Sequence, residues 1–207
     1  MNTKAMYKLT YGLFVLTAKR ENKDNGCIIN TAIQAASEPN QISIAINKAN
    51  YTHDMVKATG EFTISILSEK ATFDLFRRFG FQSGKNVDKF DGFSGMRRGK
   101  NGIYYITEGT NAYISVKVEL MEDLGSHTMF IGTITDMEVL SEDNSVTYGY
   151  YQEHIKPKPE ATGKTNEGKT IWRCRICGYE YGGEELPDDF ICPICKHPAA
   201  DFEKVVK

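Results

Sequence analysis

The sequence predicts a mainly β protein in two parts, a β-rich domain of about 150 residues followed by a small domain built around a metal ion. Two observations support this division. Short apolar or alternating runs recur through the first part with turn residues between them, which is typical of strands. Four of the five cysteines fall within 22 residues near the C-terminal end, and such a cluster indicates a metal site.

Five runs in the first part are predicted to be strands because they are rich in β-branched and aromatic residues. They are Leu13–Ala18, Ile42–Ile46, Phe62–Leu67, Ala112–Leu120 and Met129–Met137. Two stretches have helical spacing instead, His53–Thr59 and Ala71–Phe79, and Ser68 is the expected N-cap of the second helix. Many strands with few helices over this length predict a barrel.

The composition is that of an ordinary globular protein, with 41% hydrophobic and 25% charged residues. A formal net charge of −2 gives no electrostatic reason to expect nucleic acid or an anionic membrane as a partner. No apolar run approaches the roughly 20 residues that span a bilayer, and the first seven residues lack the features of a secretory signal. We therefore expect a cytoplasmic protein whose thiols stay reduced.

A polar segment separates the two parts. Residues 155–170 contain two Pro, two Gly and four Lys with almost nothing apolar, so we expect a flexible linker. The predicted domains are residues 1–154 and 171–207. The second is too small to fold by apolar burial alone and needs a metal or disulfides to stabilise it.

The cysteines of the small domain form two pairs. Two residues separate Cys174 from Cys177 and Cys192 from Cys195, and 14 residues lie between the pairs. Each short spacing lets one tight turn direct both thiolates at a single ion, and two such turns give a tetrahedral S4 site. This site suits zinc or a single iron, and the spacing alone favours a zinc ribbon.

The residues around these cysteines resemble rubredoxin, in the segments Trp172–Tyr179, Leu186–Cys195 and Asp201–Glu203. The loop between the pairs is shorter than in free-standing rubredoxins and resembles the form at the end of rubrerythrins. Lys196 stands where that family usually has Gly. The resemblance implies one iron per chain that carries one electron at a time, with a structural zinc as the alternative.

The first domain resembles the flavin reductase-like split barrel over nearly its whole length. The matching segments are Tyr11–Thr17, Asn25–Ala32, Ile42–Lys48, Thr52–His53, Gly60–Phe62, Phe79–Gly84, Asp88–Phe90 and Ser126–Gly132. A split barrel with a rubredoxin tail is the arrangement of the high-molecular-weight rubredoxins of anaerobic bacteria. The resemblance therefore implies a homodimer that passes electrons from NADH or NADPH through FMN to iron, and on to a flavodiiron protein that reduces nitric oxide or oxygen.

The resemblance also implies which residues bind the isoalloxazine ring of the flavin. Asn30, Thr31 and Ala32, with Gln34 nearby, are expected to run along the ring, where backbone N–H groups reach its carbonyls and N5. Cys27 lies in an apolar strand segment beside them. We expect its side chain to be packed in the core, with any contact to the ring made through the backbone.

Asn47 and Lys48 are expected at the ribityl chain and phosphate of the flavin. Thr52 and His53 begin a predicted helix, where a hydroxyl, N–H groups and the helix dipole favour a phosphate. FMN is expected rather than FAD because the sequence contains no G-x-G-x-x-G fingerprint.

Two further elements complete the implied site. Phe79, Gly80, Ser83 and Gly84 belong to a loop that could close over the cofactor. His127 is placed, by the resemblance, near the flavin face on which nicotinamide stacks. Each polar residue also has an ordinary interpretation: the asparagines as turn residues, Lys48 as a solvated charge, and the histidines as helix or barrel-edge residues.

Two other functions remain open on the sequence. One is a flavin reductase that releases reduced FMN, with a passive zinc domain at its end. The other is a non-enzymatic carrier that relays electrons between two proteins through FMN and iron without contacting a nicotinamide.

Overall fold

The structure is a computed structural model that describes residues 2, 5, 8–157, 170–175, 178–193 and 197–206. Two compact units divide the chain, Met1–Ile155 and Lys156–Lys207. Most of the predicted linker, residues 158–169, lies outside the described residues, and so do Cys177, Cys195 and Lys196.

Seven antiparallel strands form one sheet in the first unit, in the order β2-β1-β5-β8-β9-β4-β3. The strands are β1 (Phe14–Arg20), β2 (Lys23–Ile29), β3 (Ile33–Ser37), β4 (Asn40–Asn47), β5 (Glu61–Leu67), β8 (Thr110–Asp123) and β9 (His127–Val139). All five predicted strands are present. A separate hairpin consists of β6 (Met96–Arg98) and β7 (Tyr104–Ile106).

The sheet curls into a barrel because its first and last strands are consecutive in the chain. Only residues 30–32 join β2 to β3, so these two edges lie within about 14 Å of each other where they meet. Inside, six strands and helix α1 (Tyr51–Thr59) share one apolar core that includes the fully buried Leu16, Ile44 and Phe130. The mainly β fold and the barrel predicted from the sequence are confirmed.

A second core covers the outside of the barrel next to β1. Helix α2 (Phe73–Gly80), the hairpin and the final segment of the unit contribute its side chains. That segment contains α3 (Tyr148–Tyr150) and a π-helical turn, Tyr151–Ile155. The prediction of Ser68 as the cap of α2 is wrong: Thr72 is the N-cap, and Ser68 pairs instead with Ser145 in an isolated β-bridge.

The outer face of the barrel carries a row of apolar side chains. Strand register places Ile33 opposite Ser43, Ser43 opposite Ile131, and Ile131 opposite Leu120. Residues that face each other on adjacent strands project from the same side of a sheet. Ile33 is 68% exposed and Leu120 is 52% exposed. We call these three hydrophobic residues and Ser43 the outer row.

The second unit contains a three-stranded sheet in the order β11-β10-β12. Its strands are β10 (Thr170–Cys174), β11 (Glu180–Tyr181) and β12 (Phe202–Val206). Four aromatic rings, Tyr179, Tyr181, Phe190 and Phe202, pack together beside this sheet with centroid separations of 4.7 to 6.5 Å. Among the described helices of the chain, none is long and apolar enough to cross a membrane.

Candidate functional site

The end of β4, the start of β9 and the first turn of α1 meet at one corner of the barrel. Asn47 pairs with His127 in the strand register. His53 is buried, and its Nε2 lies 2.9 Å from Thr128 Oγ1 while its Nδ1 lies 3.0 Å from Asp54 Oδ1. The structure therefore brings three predicted residues together here. Both ring nitrogens of His53 have partners: Nε2 joins α1 to β9 through Thr128, and Nδ1 contacts Asp54 within α1.

The polar groups of residues 47 and 48 also have partners in the protein. Asn47 Oδ1 accepts a hydrogen bond from the Ala49 N–H at 2.8 Å, in the turn that leads into α1. Lys48 Nζ lies 2.6 Å from Asp123 Oδ1. This hydrogen bond from Lys48 holds the pKa of the Asp123 carboxyl below its usual value. Lys48 thus follows Asn47 at this corner and forms an exposed ion pair.

Asn25, which the sequence analysis did not single out as a site residue, connects α1 to the loop after α2. Its Nδ2 donates to Thr52 Oγ1 at 2.9 Å, and both residues are buried. A Cβ atom at position 84 would clash with the Asn25 side-chain oxygen, so Gly84 allows the loop to lie directly on Asn25. Thr52 and Gly84 therefore both contact the side chain of Asn25.

The loop after α2 begins later than the sequence analysis expected, because Phe79 and Gly80 belong to the helix. The Phe79 side chain is 1% exposed and packs against Phe90 and Phe93, so it is not at a surface that a cofactor could reach. Ser83 closes a local turn in which its carbonyl oxygen accepts from the Asn86 N–H at 3.0 Å.

Cys27 lies inside the barrel in the first core and is 4% exposed. Burial raises the pKa of its thiol, and a hydrogen bond to Thr52 opposes that shift. The thiol is therefore neutral near pH 7, and its reactivity is low because the thiolate is the nucleophilic form.

A cavity of about 780 Å³ lies beside the segment that joins β2 to β3. Asn30 lines it together with two other stretches of chain, namely Lys8, Leu9, Thr10, Tyr11, Thr147, Tyr148, Gly149 and Gln152. A hydrogen bond of 2.8 Å from the Tyr148 N–H to the Tyr11 carbonyl oxygen joins these stretches. The sequence analysis missed the wall formed by residues 147–152, although three tyrosines within four residues were an available signal.

Thr31, Ala32 and Gln34, the other residues expected along the flavin ring, are not among the residues that line this cavity. Thr31 Oγ1 donates to the Ala45 carbonyl oxygen at 2.7 Å, and Ala32 packs on the first core. Gln34 is on β3, where its Nε2 donates to Asn40 Oδ1 at 3.0 Å.

The chemistry of the cavity suits a flavin ring, which is planar and apolar with carbonyl and imide groups at one end. Tyr11 and Tyr148 offer aromatic surface, and Asn30 and Gln152 offer neutral amide donors and acceptors. Among the described residues that line the cavity there is no carboxylate, so these residues would present no repelling charge to the electron-rich flavin carbonyls.

In the second unit, the two cysteines that the structure describes are both buried. Cys174 is 1% exposed and Cys192 is 0% exposed. The Gly178 N–H donates to the Cys174 carbonyl oxygen at 2.9 Å, and Gly178 has a φ of +76°, which glycine adopts at little cost. The Cys174 N–H donates to the Tyr179 carbonyl oxygen and the Cys192 N–H to the His197 carbonyl oxygen, each at 2.8 Å, so both cysteines make the same bond to the residue five positions later.

Two buried cysteines with matching backbone hydrogen bonds fit a metal that prefers soft thiolate ligands. The burial of both residues keeps water from their thiols, and exclusion of water is one way in which a protein sets the potential of an iron–thiolate centre. The partners Cys177 and Cys195 lie outside the described residues.

Comparison with known proteins assigns a family to each unit. Residues 6–158 match the flavin reductase like domain, and residues 172–203 match the rubrerythrin, rubredoxin-like domain. The chain is 36% identical to the high molecular weight rubredoxin of Moorella thermoacetica, over 99% of this chain and 100% of that protein. It is 37% identical to the ferric-chelate reductase (NAD(P)H) of Archaeoglobus fulgidus, over 83% of this chain and 98% of that protein.

Solved structures support the fold of the first unit. The NADH:FAD oxidoreductase of Streptomyces globisporus C-1027 superposes with a TM-score of 0.62 at 20% identity, covering 70% of this chain and 84% of that chain.

The fold and the two sites define an oxidoreductase whose cofactors are a flavin and iron. The chain belongs to the flavin reductase-like family, and it carries a rubredoxin-like domain after the barrel, as the high molecular weight rubredoxin does. The sequence analysis predicted this arrangement, and it is confirmed.

Proposed function

We propose that the protein passes electrons from NADH or NADPH through bound FMN to the iron of its rubredoxin-like domain, and from there to an acceptor protein of the flavodiiron type. One observation carries this proposal: a single chain joins a flavin reductase-like barrel, with a cavity at Asn30, to a unit in which Cys174 and Cys192 are buried.

The pairing of cofactors matches the number of electrons to be moved. A nicotinamide delivers two electrons as a hydride, whereas an iron–thiolate centre takes one. When bound, a flavin can accept a hydride and give up single electrons, so it joins the two kinds of chemistry. The protein supplies orientation, exclusion of water and charge.

In this proposal the cavity and the α1 corner hold the two ends of one flavin mononucleotide. Thr31 follows the cavity residue Asn30 and is bonded to Ala45. Asn47 lies two residues further along β4, a step of about 7 Å. The ring would occupy the cavity, the ribityl chain would follow β4, and the phosphate would lie near the first turn of α1.

His127 is proposed as the residue that meets the nicotinamide. Its Nδ1 is 2.9 Å from Ser126 Oγ, and in the described part of the chain its Nε2 has no hydrogen-bond partner. The side chain is half-buried at the start of β9. One ring nitrogen is thus anchored while the other is available for a carboxamide.

We further propose that two copies associate through the outer row. Ile33 and Leu120 are large apolar side chains that are more than half exposed, and the register connects them across four adjacent strands. Burying such a row against its symmetry mate would remove it from water.

The domain limits proposed for this function are residues 1–154, 155–170 and 171–207, with the middle segment as the flexible linker. The rubredoxin-like domain could then visit the flavin and a separate acceptor in turn. A cytoplasmic location is proposed because four metal-binding thiols require a reducing environment.

The test is anaerobic reduction of the purified holoprotein by NADH and by NADPH, followed at the flavin and iron–thiolate absorption bands. We expect the flavin band to bleach first and the iron band to follow. His127→Ala should slow flavin bleaching by about tenfold while leaving the flavin bound. Loss of flavin without transfer to iron would favour a reductase that releases reduced FMN, and no reaction with either nucleotide would favour a carrier between proteins.

A further inference from the structure

Lys89 is a buried cation whose side chain is hydrogen-bonded to backbone alone. It is 4% exposed, and its Nζ donates to the carbonyl oxygens of Gly26 at 2.8 Å and Phe79 at 2.9 Å. In the described part of the chain, no carboxylate forms an ion pair with it. A charge in such a place is costly, and the proposed function described so far gives this residue no role.

The two carbonyl oxygens belong to different elements. Phe79 is in the last turn of α2, where backbone carbonyls lack helical partners and the helix dipole favours a cation. Gly26 is on β2. The bond to Phe79 joins Lys89 to the end of α2, so that residues 81–88 form a closed loop. The bond to Gly26 attaches the end of this loop to the barrel.

Arg78, on α2, also holds the end of this loop against the helix. Its Nη1 donates to the carbonyl oxygens of Lys89 at 2.9 Å and Asp91 at 3.0 Å. The far part of the loop lies on the barrel, since Gly84 packs on Asn25 and Asn25 is bonded to Thr52. The loop that Lys89 closes thus reaches the first turn of α1.

We propose that Lys89 is a positioning residue for the phosphate of FMN. Its ammonium holds the loop of residues 81–88 against Asn25, so that the loop and the first turn of α1 face one anion from two sides. The inference rests on the proposed function, which places the phosphate at that turn. It adds Lys89 to the proposed phosphate site as a residue that acts by holding the loop and does not touch the phosphate.

The charges around Lys89 allow a test by pH. Burial lowers the Lys89 pKa to about 8. Cys27, which faces it from β2, is a neutral thiol because burial raises its pKa. Arg78, on α2, donates to the Lys89 carbonyl oxygen, and Asp88 in the loop accepts from the Phe90 N–H at its Oδ1. The phosphate of FMN is fully charged above about pH 7. Of these groups, Lys89 is the one that loses its charge as pH rises through 8.

The experiment compares FMN with riboflavin, which lacks the phosphate, as ligands of the deflavinated full-length protein. Lys89→Met should weaken FMN binding by about tenfold, because the released loop would lose its contact with the charged phosphate. Riboflavin binding should weaken by less than about twofold. Lys70→Met is the matched control, because Lys70 is an exposed lysine outside this loop, and it should change neither affinity.

The pH profile separates positioning from a general effect on folding. In the unmodified protein the ratio of FMN to riboflavin affinity should fall above about pH 8, whereas in Lys89→Met it should be flat. Equal losses for both ligands in Lys89→Met would overturn the inference. If that variant does not fold, a flat ratio in the unmodified protein would overturn it as well. An unmodified protein that binds neither flavin would remove the proposed function itself.

Discussion

The Thr31 hydroxyl donates to the Ala45 carbonyl oxygen at 2.7 Å and accepts from the Ala45 N–H at 3.2 Å. These two bonds attach the segment between β2 and β3 to the middle of β4. Asn30, the neighbour of Thr31, lines the cavity, and β4 leads to Asn47 at the α1 corner. One side chain therefore sets how the cavity is placed relative to that corner.

Thr31→Val keeps the shape of the side chain and removes both bonds. We expect the affinities for FMN and riboflavin to fall by the same factor, about tenfold, because the change acts on the ring end that the two ligands share. Thr135→Val is the control, since Thr135 makes a similar bond to the Ser115 carbonyl oxygen elsewhere in the sheet. Flavin fluorescence titration measures both affinities, and a loss confined to FMN would contradict the assignment.

Lys48→Ala should weaken FMN binding more than riboflavin binding, because only FMN carries a phosphate. Lys48 is paired with Asp123, so Asp123→Asn releases the lysine without removing it and should leave FMN affinity unchanged or higher. Equal losses for FMN and riboflavin in Lys48→Ala would mean that this lysine serves only its ion pair. Isothermal titration at low salt is the suitable measurement, because screening weakens exposed charges.

Cys192→Ser should abolish the iron–thiolate absorption and reduce iron to well below one atom per chain, while the flavin stays bound. The reason is that the two units have separate packing and the serine hydroxyl is a poor ligand for this metal. Cys27→Ser, at the buried cysteine of the barrel, should retain the iron. Metal analysis and a visible spectrum decide it, and stoichiometric zinc in iron-replete native protein would contradict electron transfer by this unit.

NADH-driven reduction of iron should be faster in the intact chain than in a mixture of residues 1–154 and 170–207, and independent of protein concentration. A linker of 16 residues reaches about 20 Å as a random coil, and it keeps the iron domain at about millimolar effective concentration. Stopped-flow absorption at micromolar protein makes the comparison. Equal rates in the mixture and in the intact chain would remove any kinetic role for the linker.

Ile33→Glu should convert a dimer to monomers, because it places a charge at the most exposed apolar position of the outer row. Val139→Glu is the matched control: Val139 is 67% exposed on β9 but lies outside the outer row. Light scattering after size-exclusion chromatography gives the mass. A monomeric unmodified protein, or dimers that persist in Ile33→Glu, would contradict this interface.

The long, apolar strands and the cysteine spacing could be predicted from the sequence because each leaves a local pattern. β3 leaves none: four of its five residues are exposed, so apolar and polar residues do not alternate along it. β6 and β7 have three residues each, which is too short for a periodic signal. Both were missed.

Some residues of the candidate site could likewise be predicted from the sequence, and others could not. The resemblance indicated Asn30, Thr52 and Gly84 as site residues. It gave no such role to Asn25, although Asn25 begins a matching segment and its side chain contacts both Thr52 and Gly84. The cavity wall at residues 147–152 depends on the pairing of Gly12 with Thr147, a contact between opposite ends of the unit. Such contacts follow from tertiary structure and leave no local pattern.

The order of the strands has a consequence for the behaviour of the protein at high concentration. An exposed sheet edge can recruit a strand from another molecule and so start a fibre. Here β2 and β3 are the two edges of the sheet, and the three residues between them make these edges converge at one end. A strand from another molecule would have to enter the gap between β2 and β3, which narrows towards Asn30. These two edges are therefore poorly suited to pairing between molecules that would start a fibre.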